Sequence, residues 1–192
     1  MRRAPLSLAL GVLVCAFSSA VVGGEEALSP EAREAAGLLD ATDAFTRQLG
    51  FMRLEALREP ATAQVVRSYV DSPDPMTRAF SLRALGAIEG QAAVPLLLER
   101  LQGDHHARVR AAALLALEPL ADPRIPPALI ARLQDPDPEV RMAAVDAVSR
   151  LNSEQARAAI RVRRRREHHR DVRRVLEQAM KRIGHAPAAP PS

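Results

Sequence analysis

Two pairs of adjacent histidines are the most obvious candidate metal ligands in the sequence. His105-His106 and His168-His169 account for four of the five histidines. They lie five and four residues before Arg110 and Arg173, so they occupy corresponding positions two repeats apart in a pattern described below. At about 8 to 10 Å between packed helices, the pairs are roughly 20 Å apart, too far to share one metal ion. Adjacent histidines without a cysteine or a histidine at i+4 are weak ligands, and no metal site is expected.

A run of arginines near the C-terminus is the second candidate. Residues 161–170 read RVRRRREHHR; residues 150–182 hold 12 basic against 4 acidic residues, whereas 21–149 hold 13 against 19. One interpretation is a site for anions such as phosphorylated lipid head groups, polyanionic polymers or an acidic protein surface. The other is a solvated helix end, because charge runs are usually solvated and this one contains no aromatic residue. The candidate contact residues are Arg163, Arg164, Arg165 and Arg166.

The sequence contains no residue pattern typical of an enzyme. It has no Gly-rich phosphate loop and no nucleophile elbow, and its one cysteine, Cys15, lies in the N-terminal segment. The paired carboxylates Asp135/Asp137 and Asp71/Asp74 are explained as helix starts, because aspartate caps the N–H groups of a first turn. We therefore expect a non-enzymatic protein without catalytic residues, a metal or a cofactor.

These residues lie on a repeated helical pattern. Asp137-Pro138 is typical of a helix start, since Asp137 can accept first-turn hydrogen bonds and Pro138 lacks an N–H. The apolar residues that follow at helical spacing are Val140, Ala143, Ala144 and Val148. The same pattern recurs at a nearly constant interval around Arg78, Arg110, Arg141 and Arg173. Such an interval indicates a protein built from stacked repeats.

Each period predicts two helices. The predicted pairs are 74–88 with 93–101, 104–117 with 125–133, and 137–151 with 153–166; a last helix over 171–183 has no partner. A degenerate first pair precedes them, in which Pro60 ends the first helix and the second runs over 61–70. Four apolar residues share one face of that first helix: Phe45, Leu49, Met52 and Ala56. When the sequence is shifted by one period, two other residues of this helix, Phe51 and Leu54, align with Leu82 and Leu85.

A two-helix period of about 32 residues, opened by Asp-Pro and marked by Val-Arg, resembles the HEAT repeats, particularly the short bacterial repeats of phycobilin lyases. The resemblance covers residues 44–184 and implies an all-α, right-handed solenoid of about four and a half hairpins with a concave face of second helices. It also implies an acidic residue six positions before each arginine, bridging neighbouring repeats. The residues of this ladder are Arg78, Asp104, Arg110, Asp135, Arg141, Glu167 and Arg173. Ser72 departs from it before Arg78, although Asp71 and Asp74 flank that position.

The N-terminal residues are typical of an export signal. Two arginines precede an uncharged apolar run that ends in small residues near Ala20, so residues 1–20 are predicted to be a cleaved signal peptide. The alternatives are an uncleaved membrane anchor and a protein lipidated at Cys15. Residues 21–43 form an acidic, Ala-rich lead-in in which Ser29-Pro30 can start a short helix. Residues 185–192 are predicted to be a disordered Pro/Ala tail.

These features favour an exported scaffold that binds another protein of the bacterial envelope. The predicted contact residues on the second helices are Arg100 and Arg132, which recur one period apart. The alternative is an anion- or polyanion-binding module using Arg163 to Arg166. Nucleic acid is a less favoured ligand, because the front half is acidic and aromatic residues make up only 3% of the chain. A bilin-lyase activity, which the resemblance also raises, has no residue that can be assigned to it.

Overall fold

The computed structural model describes residues 28–151 and 153–185, which contain ten α-helices and no strand. The α-helices are α1 Pro30–Gly37, α2 Ala44–Leu57, α3 Ala63–Arg67, α4 Pro75–Glu89, α5 Val94–Gly103, α6 Ala107–Leu117, α7 Ile125–Ala131, α8 Pro138–Arg150, α9 Glu154–Arg166 and α10 Arg170–His185. Short 3-10 turns lie at Leu38–Asp40, Pro60–Thr62, Gly90–Ala93 and Arg132–Gln134.

The helices form consecutive hairpins stacked in one row. The hairpins are α2/α3, α4/α5, α6/α7 and α8/α9, and α10 stands as the first helix of a fifth. The first helices α2, α4, α6, α8 and α10 each contact the next one along the row. The predicted all-α solenoid of about four and a half hairpins is therefore confirmed.

The helix starts follow from the residues that precede them. The Asp74 carboxylate accepts hydrogen bonds from the N–H groups of Met76 and Thr77 at 3.1 and 3.2 Å. Asp137 caps α8 in the same way through the Glu139 N–H at 2.8 Å. Proline occupies the first turn of both helices, where its missing N–H costs nothing. These caps fix where each repeat begins.

Leucine and small residues fill a core that runs along the whole row. The leucines at the repeated inward positions are fully buried, for example Leu82, Leu85, Leu97 and Leu101. Small residues let the first helices approach closely: a Cβ at Gly86 of α4 would lie 2.9 Å from the Ala116 Cβ of α6. Because each hairpin covers the apolar face of the preceding one, the stack shares one continuous core.

Helix α1 covers the front of the first hairpin. The Ser29 side chain accepts a hydrogen bond from the Ala32 N–H at 3.1 Å, as expected for a helix start. Ala32 and Ala35 of α1 are fully buried, and a Cβ at Gly50 of α2 would lie 2.9 Å from the Ala35 carbonyl oxygen. The second half of the acidic lead-in thus packs onto the repeats as an additional helix.

Helix α2 has two apolar faces, and only one is covered. Phe51 and Leu54 are buried, and the Phe51 ring contacts those of Tyr69 and Phe80. The other face points to solvent: Phe45 is 75% exposed, Met52 50% and Leu49 36%. The stripe of Phe45, Leu49, Met52 and Ala56 is therefore an outer surface of the first hairpin, called the α2 stripe below.

The predicted signal peptide, Cys15 and all but one residue of the predicted C-terminal tail lie outside the described residues. The exception is His185, the last residue of α10. Among the helices that the structure describes, none is both long and apolar enough to cross a membrane.

Candidate functional site

Three buried ion pairs join consecutive hairpins. The guanidinium of Arg110 donates to both carboxylate oxygens of Asp135, at 2.9 and 2.7 Å. Arg78 binds Asp104 at 3.1 and 3.2 Å, and Arg141 binds Glu167 at 2.9 and 3.2 Å, in the same two-pronged geometry. Each arginine thus binds the acid that lies 25 or 26 residues ahead of it, in the next repeat.

The arginine is tied to its own repeat as well. The third guanidinium nitrogen, Nη1, donates to the backbone carbonyl six residues earlier, at 2.9 Å from Arg110 to Asp104. Arg141 does the same to Asp135 at 2.9 Å, and Arg78 to Ser72 at 2.8 Å. Asp104 and Asp135 therefore each supply the carbonyl to the arginine six residues later and the carboxylate to the arginine of the preceding repeat. Asp135 is a ladder residue of this kind, whereas Asp137 alone caps the helix.

Glu167 shows why these buried acids stay ionised. Burial raises the pKa of Glu167 and is the largest single influence on it. Hydrogen bonds from Arg141, the His169 N–H and Arg163 together outweigh burial and lower the pKa to about 2. The pKa values of Asp104 and Asp135 are lowered for the corresponding reasons.

The ladder weakens at the front and does not extend past α9. At the front, Arg47 donates to the carbonyls of Ala41 and Thr42 as the later arginines do, and lies 3.6 Å from the Asp74 carboxylate. Asp74 thus stands in for the carboxylate that Ser72 lacks. At the other end, Arg173 is exposed and forms no ion pair with any described residue, because the described residues contain no fifth ladder acid after Asp74, Asp104, Asp135 and Glu167. Within the described residues, Arg173 therefore makes no ladder pair, in contrast to Arg78, Arg110 and Arg141.

Arg100 and Arg132 are held by contacts within the protein. Arg100 binds the Asp71 carboxylate at 2.6 Å. Arg132 lies 3.6 Å from the Asp135 carboxylate and donates to the Leu101 carbonyl at 3.4 Å. In both, Nε is buried without a hydrogen-bond partner among the described residues. Both side chains are about one-fifth exposed, and the assignment of Arg100 and Arg132 to a partner surface stays a prediction.

The arginine run divides into three environments. Arg163 is half-buried and donates to Glu167 at 2.8 Å, so it belongs to the ladder. Arg166 lies on another side of α9, beside exposed Val162. Arg164 and Arg165 line a groove of about 500 Å³ between α9 and α10. The complete lining, called the α9/α10 groove below, is Arg161, Arg164, Arg165, Arg173, Glu177 and Met180.

Sequence reasoning missed two of the four arginines in that groove. Arg161 stands one period after Ile130, which is partly buried in the core, so its replacement of an apolar residue was a usable signal. No such signal marked Arg173 in the sequence, because its spacing matches that of the ladder arginines. Only the structure shows that Arg173 has no acidic partner among the described residues. In this groove, arginines of α9 and α10 face a common space.

Each of the four paired histidines contacts a neighbouring residue of the protein. His105 is exposed, with its Nδ1 4.0 Å from Asp104, and His106 caps α6 by accepting the Arg108 N–H at 3.3 Å. The N–H groups of His168 and His169 donate to the Glu167 carboxylate at 3.0 and 2.9 Å. No group of three potential metal ligands comes together within residues 28–151 and 153–185.

A second groove, of about 480 Å³, lies beside the α2 stripe on the first helices. Glu55 of α2, Arg83 of α4 and Leu115 of α6 contribute to its lining. Arg83 donates to Glu55 at 3.0 Å, and Leu115 is nearly half exposed. Met52, Arg83 and Leu115 follow one another at intervals of one period, so they share one phase of the repeat. Exposed apolar side chains thus lie at this phase on α2 and α6, with the charged Arg83 between them on α4.

Comparison with known proteins agrees with this architecture. Residues 35–118 and 104–181 match the family model for HEAT repeats. In fold, the chain is similar to a chain in the structure of the complex of CpcE and CpcF of phycocyanin lyase from Nostoc sp. PCC7120. The TM-score is 0.66 at 20% sequence identity, over 77% of this chain and 96% of that one. No curated protein sequence matches. The two family matches together span more than half of the chain, which belongs to the HEAT-repeat family.

Proposed function

We propose that this protein is an exported, non-enzymatic scaffold that binds a partner protein through the outer surface of its first helices. The observation that carries the proposal is the α2 stripe, on which Phe45, Leu49 and Met52 face solvent from one side of a helix. The opposite side of the same helix supplies Phe51 and Leu54 to the core, whereas the stripe is left in solvent. Apolar side chains grouped in this way on a soluble surface are typical of a protein contact site.

The aromatic composition strengthens this interpretation. The chain has four phenylalanines, of which three lie in the described residues. Phe51 is fully buried and Phe80 packs against the core, whereas Phe45 is the most exposed large apolar side chain of the described structure. Exposing a phenylalanine forfeits about 1.5 to 3 kcal/mol of burial free energy, which a partner surface would recover.

The fold is compatible with a role in binding another protein. The structurally similar chain comes from a complex of two proteins, CpcE and CpcF, so this architecture is compatible with a stable contact to a second protein. The partner we expect presents an apolar helix or loop to α2, α4 and α6. Its polar rim would meet the Arg83–Glu55 pair beside Leu115.

Site-directed photo-crosslinking in cells tests the proposal. A photo-reactive amino acid at position 45 is expected to give a discrete protein adduct that is lost when Met52→Ser is added. The matched control is the same amino acid at Glu139, an exposed position on α8. Absence of an adduct at position 45, or the same adduct at both positions, contradicts the proposal.

Export is tested separately, on the mature chain. The apolar N-terminal run supports cleavage near Ala20, so intact mass of the purified protein is expected to correspond to a chain that begins at about residue 21. A full-length chain in the membrane fraction would indicate a retained anchor, and a lipid-sized mass increase would indicate modification at Cys15. Either result contradicts the signal-peptide assignment while leaving the binding surface open to its own test.

A further inference from the structure

The α9/α10 groove lies beside the last helix that the structure describes. Each earlier first helix is followed by a second helix, whereas no second helix follows α10 in the described residues. On α10, Val172, Leu176 and Ala179 are buried, on a face that packs toward the preceding hairpin. Arg173, Glu177 and Met180 lie on the adjacent face and line the groove; Arg173 and Glu177 are exposed, and Met180 is partly buried against the core.

Comparison with the earlier repeats shows what this open face corresponds to. Glu177 is aligned with Leu114 and Val145, and Met180 with Leu117 and Val148, all of which are fully buried. On α9, Arg164 is aligned with Leu101 and Leu133, which are also buried. The groove therefore occupies positions that are covered in every complete hairpin. Among the described residues, no further helix covers these positions on α9 and α10.

The α9/α10 groove is charged, whereas the aligned positions Leu101, Leu114 and Leu117 of the earlier hairpins are apolar. Arg161 is paired with Glu154 at 3.0 Å. Arg164, Arg165 and Arg173 form no ion pair with any residue that the structure describes, and Glu177 is the one carboxylate in the lining. Guanidinium groups bind carboxylates in a two-pronged geometry, as the three buried pairs of this protein already do.

We propose that the α9/α10 groove binds an acidic amphipathic helix of a partner protein, over positions whose counterparts in the earlier hairpins are buried. Its carboxylates pair with Arg164, Arg165 and Arg173, and its apolar face rests on Met180. The lining from residue 173 to 180 rises about 10 Å along α10, enough for about two turns of a docked helix. No aromatic residue lines the groove, which disfavours stacked bases as the ligand.

The test uses purified full-length protein and two labelled peptides of about four helical turns. One peptide places glutamates on one helical face and leucines on the other; the second has the same composition in scrambled order. Fluorescence anisotropy at physiological ionic strength is expected to give at least about tenfold tighter binding for the amphipathic peptide, equivalent to about 1.4 kcal/mol. Circular dichroism of the mixture is expected to show added helix only with that peptide.

Two variants locate the contact. Arg164→Glu with Arg173→Glu is expected to weaken binding at least about tenfold. The matched control is Arg174→Glu, one residue along α10, whose guanidinium is exposed and pairs with Asp171 at 3.1 Å; it is expected to leave binding unchanged. All three positions are exposed, and unchanged thermal unfolding will show that each variant is folded.

Four results would overturn the proposal. The first is equal binding of the scrambled and amphipathic peptides, and the second is no binding of either peptide. The third is binding to phosphatidylglycerol vesicles or to duplex DNA that is tighter than binding to the amphipathic peptide. The fourth is salt-sensitive self-association, which would make the occupant a second copy of this chain. The inference does not rest on the α2 stripe, so Met52→Ser is expected to leave peptide binding intact.

Discussion

Arg110 and Asp135 join two consecutive hairpins through two hydrogen bonds, although they are 25 residues apart in the sequence. Their side chains are 10% and 0% exposed. A buried charge of this kind is tolerated only because its partner and the backbone satisfy it. The repeats are therefore held in register by polar contacts as well as by the apolar core.

Removal of one partner of the Arg110–Asp135 ion pair should lower the free energy of unfolding more than removal of both. Arg110→Ala leaves the Asp135 carboxylate buried without its main partner, and we expect a loss of about 3 to 5 kcal/mol in the free energy of unfolding. The double variant Arg110→Met with Asp135→Leu is expected to recover most of that loss, since it removes both charges and fills the space. Urea unfolding of the three proteins measures both effects. A single-variant loss below about 1 kcal/mol would show that the pair is not a structural contact.

The Glu167 carboxylate predicts how stability depends on pH. Its pKa is lowered in the folded protein to about 2, from an ordinary value of 4.5. A lowered pKa contributes stability that is fully present above pH 4.5 and is lost as the pH falls toward 2. The contribution is on the order of 3 kcal/mol.

Comparison with Glu167→Gln isolates that contribution. At neutral pH the wild type is expected to be the more stable protein, and the difference in unfolding free energy is expected to shrink steadily between pH 4.5 and 2. Chemical denaturation across this range provides the measurement. A difference that stays constant over the whole range would mean that the ion pair does not control ionisation of Glu167.

Substitution of Arg132 should destabilise the protein even without a partner. Arg132→Glu places a second carboxylate close to Asp135 and removes the bond to the Leu101 carbonyl. We expect a loss of about 1 to 3 kcal/mol. Arg165→Glu, at an exposed position, is expected to change stability by less than about 0.5 kcal/mol. If thermal melts show equal effects for the two, the structural role assigned to Arg132 is wrong.

The close contact between α4 and α6 predicts an effect of a single methyl group. In Gly86→Ala the new Cβ would lie 2.9 Å from the Ala116 Cβ and 3.3 Å from the Ala116 carbonyl oxygen. We expect a net loss of about 1 to 3 kcal/mol, because the clash outweighs the better helix propensity of alanine. Gly103→Ala is the control, since a Cβ there meets nothing within 4 Å. Stabilisation by both substitutions would show that the helices can move apart freely.

The repeat architecture could be predicted because it depends on local signals. Asp74 and Asp137 before prolines mark helix starts, and the recurring arginines give the repeat length. The family resemblance supplied the idea that the arginines bridge repeats. The pairing of each one with the acid of the following hairpin depends on how the hairpins stack, which spacing alone does not determine.

The exposed surfaces were harder to predict. Helix α2 carries two apolar faces, and the sequence does not say that its neighbours cover Phe51 and Leu54 but leave Phe45 in solvent. Likewise, a count of arginines does not separate Arg163, which a nearby acid holds, from Arg164, which lines an open groove. Both distinctions are tertiary, since they depend on which helix packs against which.

Hydrogen exchange of the protein with and without the partner recovered by crosslinking tests the proposed binding surface most directly. We predict that binding slows exchange of backbone amides over residues 44–57 of α2, while α8 serves as an internal reference and is unchanged. Protection confined to α8 or α10, with α2 unaffected, would contradict the assignment of the α2 stripe as the contact surface.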